Sequence, residues 1–198
     1  MFAVTGTLPT NIAVDRRMML LTNVEPLDEL FDQYSTLLGA DLPAYRNHVY
    51  RLINFCAALS DDSENRLQKL VVAGFFHDIG IWSAHTFDYL PPSDALAQAW
   101  LEANAKSAWS GEISAMIQQH HKLTRCDGDS GLGGLAEAFR QADWVDVTHG
   151  LISHGVPRAV LRAVFAAFPD AGFHLRLLQL SCRRLLSHPL DPLPMMRW

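Results

Sequence analysis

Four stretches of this 198-residue chain set an imidazole or a carboxylate into an apolar helical stripe, where an unpaired polar group costs about 1–3 kcal/mol. Tyr45, His48, Val49, Leu52, Ile53 and Cys56 fall at i, i+3, i+4, i+7, i+8 and i+11, so His48 lies inside the stripe. The pair His77-Asp78 ends the apolar run Leu70 to Phe76. His120 and His121 continue the stripe of Ile113, Met116 and Ile117, and Asp143 with Asp146 share a face with Leu135, Ala138, Phe139 and Ala142. Taken singly, each has an ordinary role: hydrogen-bonded packing for a histidine, a cap or an ion pair for an aspartate. Together they place imidazoles and carboxylates on the inward faces of four helices, and one shared divalent metal ion satisfies all of them. Mixed nitrogen and oxygen donors suit Mn, Fe, Co, Ni, Zn or Mg and do not choose among them.

The chemistry such a centre offers is hydrolysis by an activated water. A small, anionic substrate is expected, because a bound metal can reverse the sign of the local field. Its cationic partners would be Arg51, one helical turn beyond His48, and Lys122, which follows His120-His121 directly; Arg125 is a third cation nearby. Asp146 is expected either to orient a ligand or to bind a substrate group. Asp78, His120, His121 and Lys122 are the residues expected to act in catalysis. The glycines at 128, 131, 133 and 134 follow no strand and match no phosphate-loop spacing, which argues against a nucleotide cradle.

The elements that must position these residues are all helical. Pro26 near a first turn, Leu27, Leu30, Phe31, Tyr34 and Leu38 at helical spacing, and Gly39 predict one helix, and the His48 stripe predicts the next. Ser60 to Ser63 is read as the turn capping a third, buried helix that Gly80 stops. A loop over 82–92 leads to a helix capped by Ser93 or Asp94, and Ser110 caps the one bearing His120 and His121. After a glycine-rich loop over 126–134 comes the helix of Asp143; Pro157 opens another, 169–172 breaks the chain, and 173–187 is the last. The expectation is an all-α, single-domain helix bundle with a central metal site. Its parts would be an arm over 1–22, a metal-binding core over 23–155, and C-terminal helices and tail over 156–198 packed on that core.

Composition sets the outer bounds. The chain is 49% hydrophobic and 19% charged, with net charge −5, so no global basic field draws it to a nucleic-acid polymer or a membrane. Cys56, Cys126 and Cys182 form no paired motif, and Met18 to Leu21 is too short for a leader core or a span. The protein is therefore expected in the cytoplasm, with a small molecule as its partner. The proline-containing tail ending in Trp198 suggests docking within the subunit or across a homodimer.

The ordered set His48, then Phe-Phe-His77-Asp78-Ile-Gly, then Asp143 in Ala-Asp-Trp-Val-Asp resembles the HD superfamily of metal-dependent phosphohydrolases, over roughly residues 25–155. The resemblance implies a helical fold around a central metal held by His48, His77, Asp78 and Asp143, and cleavage of a phosphoester, nucleotide-like substrates included. The chain departs from two-metal relatives at Ile81, where they place a lysine, and at Ser93, near which they carry a histidine; His120-His121 does resemble their double histidine. One metal is therefore expected. Nucleotide-cleaving members often carry an acid just after the pair, and Ile79 to Ser83 has none, which leaves the base among Asp88, His85, His120 and His121 or leaves a metal-bound water acidic enough to need none. These departures keep two further readings open. One is an HD enzyme of different chemistry, hydrating a nitrile such as cyanamide or working as a di-iron oxygenase. The other is a non-catalytic regulatory module stabilised by metal.

Overall fold

The structure, a computed structural model, describes residues 20–61, 63–126, 133–191 and 193–196. It is all-helical and folds as a single-domain bundle, with no strand among the described residues. The helices are α1 Glu25–Gln33, α2 Ser35–Leu38, α3 Leu42–Leu59, α4 Arg66–Phe76, α5 Gly80–Ser83, α6 Leu90–Ala103, α7 Ser110–Gln119, α8 Gly133–Val147, α9 Arg158–Ala167 and α10 Phe173–Ser187. No described helix is long and apolar enough to cross a membrane. Most of the expected arm, residues 1–19, lies outside the described residues, as do 127–132 of the glycine-rich stretch and Trp198. The visible end of the arm is held to α3, where Leu21 N–H donates to Asn54 Oδ1 and Asn54 Nδ2 donates back to the Leu21 carbonyl.

α3 is the axis of the bundle. It runs along α8 and also meets α4, α9 and α10, so its whole middle section is buried from Tyr45 to Cys56, apart from the half-buried Arg46 and Asn47. α4 is apolar all round over Leu70–Phe76 and is buried on every side, as an all-apolar helix must be. Its Phe75 and Phe76 meet Phe31, Tyr34 and Tyr45 in edge-on and tilted ring contacts. The helix expected over 25–38 divides at Tyr34, whose ring turns into this cluster.

Two junctions near the site differ from the sequence-based expectation. Gly80 does not stop α4; the chain turns through His77–Ile79 and Gly80 starts α5. Glycine is needed there for close approach, since a Cβ would lie 2.4 Å from the Tyr89 carbonyl oxygen and 2.9 Å from Ser93 Oγ. Ser93 is no helix cap either. α6 starts three residues earlier with Pro91 and Pro92 in its first turn, where a missing N–H costs nothing, and the buried Ser93 hydroxyl accepts the Gly80 N–H. Asp94 instead receives Gln98, Ser114 and Gln118 and ties α6 to α7. Gly80→Ala is expected to cost about 1–3 kcal/mol by overpacking, read as a lower denaturation midpoint with an unchanged m-value.

The segment after α7 is clamped to α8 by Glu137. Its carboxylate accepts the Cys126 N–H, Arg140 Nε and Nη2, and Gln141 Nε2, while Arg140 Nη1 donates to the Lys122 carbonyl. Burial pushes the Glu137 carboxyl up, but the Arg140 and Cys126 hydrogen bonds outweigh it and bring it from the ordinary 4.5 down to about 2. A depressed carboxyl stabilises the fold above its unfolded value and loses that contribution as pH falls through its folded one. Acid melting between about pH 4.5 and 2 should therefore be shallower in Glu137→Gln than in the wild type, whose greater stability at neutral pH declines across that window. Circular-dichroism melts across that pH range test this.

Candidate metal centre

His48 faces inward from the middle of α3, His77 and Asp78 from the turn after α4, His120 and His121 from the end of α7, and Asp143 from α8. His48, His77, Asp78, His120 and Asp143 are at most 3% exposed, and His121 is half-buried. Their donor atoms converge. His48 Nε2 lies 2.9 Å from His77 Nε2, 3.8 Å from Asp78 Oδ2 and 3.7 Å from Asp143 Oδ1. Asp78 Oδ2 is 3.3 Å from His77 Nε2, and Asp78 Oδ1 is 3.5 Å from His120 Nε2. Two ligand groups result, His48-His77-Asp78 and Asp78-His120-His121, with Asp78 common to both. Asp143 lies outside both compact groups and spans them, its second oxygen 3.8 Å from His121 Nδ1.

The outer nitrogens set which inner ones are bare. His77 Nδ1 donates to the Gly74 carbonyl and His120 Nδ1 to the Ile117 carbonyl, each three residues back in its own helix. His48 Nδ1 is 2.6 Å from Asp146 Oδ2. With each outer nitrogen carrying the proton, three Nε2 lone pairs point into the same buried space. Two bare imidazole nitrogens 2.9 Å apart repel unless a proton or a cation sits between them. Asp78 Oδ1 and His120 Nε2 are buried with no hydrogen-bond partner among the described residues. A divalent cation relieves all of these at once, so the residues fit a metal. The donor set is nitrogen and carboxylate oxygen, as Mn, Fe, Co, Ni and Zn accept.

Charge agrees with this. Burial brings His48 down to about 4 despite the Asp146 contact, so it is a neutral imidazole ready to ligate. Burial raises Asp143 to about 8, helped by Asp78 and Asp146, so without added positive charge it holds a proton at neutral pH. Burial also works to raise Asp78, but the His77 and His120 rings outweigh it and hold it well below the carboxylate range. A bound cation would take over from those rings in holding Asp78 ionised, which frees their Nε2 atoms to ligate.

Several residues expected at the site have other tasks. Arg51 does not reach a substrate: it is fully buried, its Nε and Nη2 grip both oxygens of Asp146, and Nη1 donates to the Phe168 and Pro169 carbonyls. Asp146 is fully buried and bonded to Arg51 and His48, which makes it the group that orients His48. Lys122 is half-buried beside the Glu137 clamp and is not on the wall of the cavity that reaches His121. His85 and Asp88 are exposed on the α5–α6 loop and belong to neither ligand group.

Three contributors had no motif to announce them. The Tyr89 hydroxyl lies 2.5 Å from His121 Nε2, and burial keeps it protonated by raising it well above the usual tyrosine range. The Phe173 ring stacks on His48 at 4.0 Å and 13°, so the start of α10 closes one side of the site. His174, half-buried, is bonded to Asp170 and to the Asp146 carbonyl. A tyrosine immediately before a Leu-Pro-Pro helix start is the one cue the sequence offers for Tyr89. Tyr89→Phe should keep the fold and lower metal affinity or turnover about 10–100-fold by freeing the His121 ring, as metal titration beside a thermal melt would show.

Comparison of the chain with protein-family models, curated proteins and solved structures finds no match.

Proposed function

We propose that this protein is a metal-dependent hydrolase of the HD type that cleaves a small phosphoester. What carries the reading is the pair of ligand groups meeting at Asp78, with bare nitrogens and an unpartnered carboxylate oxygen facing inward. His48, His77 and Asp78 would hold the resident ion with Asp143 beside them, and Asp78, His120 and His121 have the donors for a second. When bound, such an ion polarises a phosphoryl oxygen and lowers the pKa of water.

The chain's own residues supply the rest. Arg51 and Asp146 hold His48 in one tautomer and orientation, and Tyr89 does the same for His121. Asp143, between His48 and His121, would accept the proton of the attacking water once the positive charge of a bound ion has ionised it. In the step, the water oxygen bonds to phosphorus, the ester P–O bond breaks, one water proton passes to the protein, and the leaving oxygen takes up a proton. Phe173 over His48 limits water on that side.

A second reading, nitrile hydration or oxygenation at the same centre, is favoured by one observation: among the described residues no lysine or arginine lines the cavity reaching His121 and Asp143. Elemental analysis of purified protein, then a phosphoester panel with Mn, Co, Zn or Mg, separates the two. Phosphate release that a chelator abolishes is the expected result. Metal bound without phosphate release, together with nitrile hydration or oxygen uptake, would favour the second reading. Bound metal with no turnover of any kind would leave a metal-stabilised module.

A further inference from the structure

The cavity that ends on the metal centre has a chemistry of its own, and its role as a substrate site rests on the centre being the catalytic one. Its volume is about 310 Å³, at the small end for ligand sites, and its inner end is formed by His121 and Asp143. Phe87, Tyr89, Trp144, Leu177, Met195 and Met196 provide its walls. The outer rim is apolar as well: Leu178 and Leu193 are 59% and 43% exposed there.

Polar groups on this lining are few: besides His121, Asp143 and Tyr89 they belong to Trp144, His174 and Ser181. His174 is bonded to Asp170 and the Asp146 carbonyl, and the His121 Nε2 side is taken by Tyr89. The Trp144 indole N–H is buried with no acceptor among the described residues. Because it is closed off even with the cavity empty, it adds no donor to the space a ligand would occupy. Among the described residues, the cations of this region lie elsewhere. Arg176, Arg183 and Arg184 line a separate cleft of about 400 Å³, which shares only Phe87 with the first cavity.

From this geometry we infer that the cavity recognises a compact ligand with an apolar body and a single small head bearing hydrogen-bond acceptors. For the hydrolase this means a phosphomonoester of an aromatic or branched aliphatic alcohol, not a nucleotide. The head meets the metal centre, and the body lies against Leu177, Met195 and Met196. A nucleotide would bury ribose hydroxyls, base edges or further phosphates against these side chains, and buried polar groups without partners are strongly selected against.

The test has a binding arm that needs no turnover. Metal-free protein is titrated calorimetrically with 2-naphthol and with adenosine monophosphate, and then metal-loaded protein is assayed on 2-naphthyl phosphate and on the same nucleotide. Saturable binding of 2-naphthol but not of the nucleotide is expected. Leu178→Asp, at an exposed rim position that the fold tolerates, should weaken 2-naphthol binding about tenfold or more. In turnover, kcat/KM for 2-naphthyl phosphate should exceed that for the nucleotide about a hundredfold. Nucleotide binding as tight as 2-naphthol, or 2-naphthol affinity unmoved by Leu178→Asp, overturns the inference. Intact 2-naphthol binding with no phosphate release from any ester overturns the hydrolase reading and leaves the assignment of the cavity standing.

Discussion

Asp78→Asn is expected to abolish metal retention and turnover while leaving the helix content of the protein intact. Asp78 is the only residue shared by the two ligand groups, so its loss removes a donor from both. Its oxygens face His77 and His48 on one side and His120 on the other, and Oδ1 has no hydrogen-bond partner among the described residues. Asparagine has the same shape but no charge, and its amide NH₂ would donate to one of the bare imidazole nitrogens, closing that nitrogen to a metal. The metal-free fold should not suffer, because replacing a buried ionised group by a hydrogen-bonded neutral one removes a desolvation cost. Metal content should fall to less than about a tenth of the wild-type value. A metal supplies several kcal/mol of transition-state stabilisation, so turnover should fall about a thousandfold or more. Elemental analysis and a circular-dichroism melt on the same preparation read both quantities. An Asn variant that kept the wild-type stoichiometry would show that Asp78 holds no metal.

The largest effect on stability should come from Arg51→Ala. One side chain here links three parts of the bundle: it rises from α3, holds Asp146 on α8 by both oxygens, and donates to the Phe168 and Pro169 carbonyls between α9 and α10. Removing it leaves a buried carboxylate with His48 as its one remaining partner among the described residues, and two carbonyls without this donor. Breaking a buried ion pair from one side costs about 3–5 kcal/mol, and in a domain of this size each kcal/mol lowers Tm by roughly 2–4 °C. A fall in Tm of about 10 °C is therefore expected. Function should suffer through His48, since Asp146 is held below the usual carboxylate range despite its burial by His48 and Arg51 together. Without Arg51 that carboxyl rises, and the tautomer that bares His48 Nε2 is less well held. Arg51→Lys should lie between, because an ammonium keeps the charge but not the two-pronged grip. A substrate-binding arginine would behave in the opposite way, raising KM with Tm unchanged.

Much of this site is legible in the amino-acid sequence. Helical periodicity places His48, His120, Asp143 and Asp146 on core faces, and all four are buried at 2% exposure or less. The run Leu70–Phe76 implies a helix buried on all sides, and α4 is one. The boundaries of α10 and the start of α9 after Pro157 follow from proline and glycine positions that act within a turn or two. Local spacing misleads where a residue's role depends on a distant partner. Arg51, one turn beyond a ligand, has the spacing of a substrate contact, yet its partner lies 95 residues away. Gly80 has the position of a helix stop, but the Tyr89 carbonyl is what requires a glycine there. Ser93 has the composition of a cap and instead bonds the backbone of another element.

Imidazoles and carboxylates inside apolar stripes thus determined by themselves that the protein is helical and that these groups point inward. A 3.6-residue period ties neighbours at i+3 and i+4 to one face, and apolar neighbours carry the polar residue into the core with them. Tertiary structure alone decided how the groups divide: Asp78 shared between two sets, Asp146 and Arg51 withdrawn to hold His48, Tyr89 set on His121, and an apolar cavity leading in. Those assignments depend on which helix ends meet across the bundle. That is governed by the packing of whole faces, to which no local spacing rule extends.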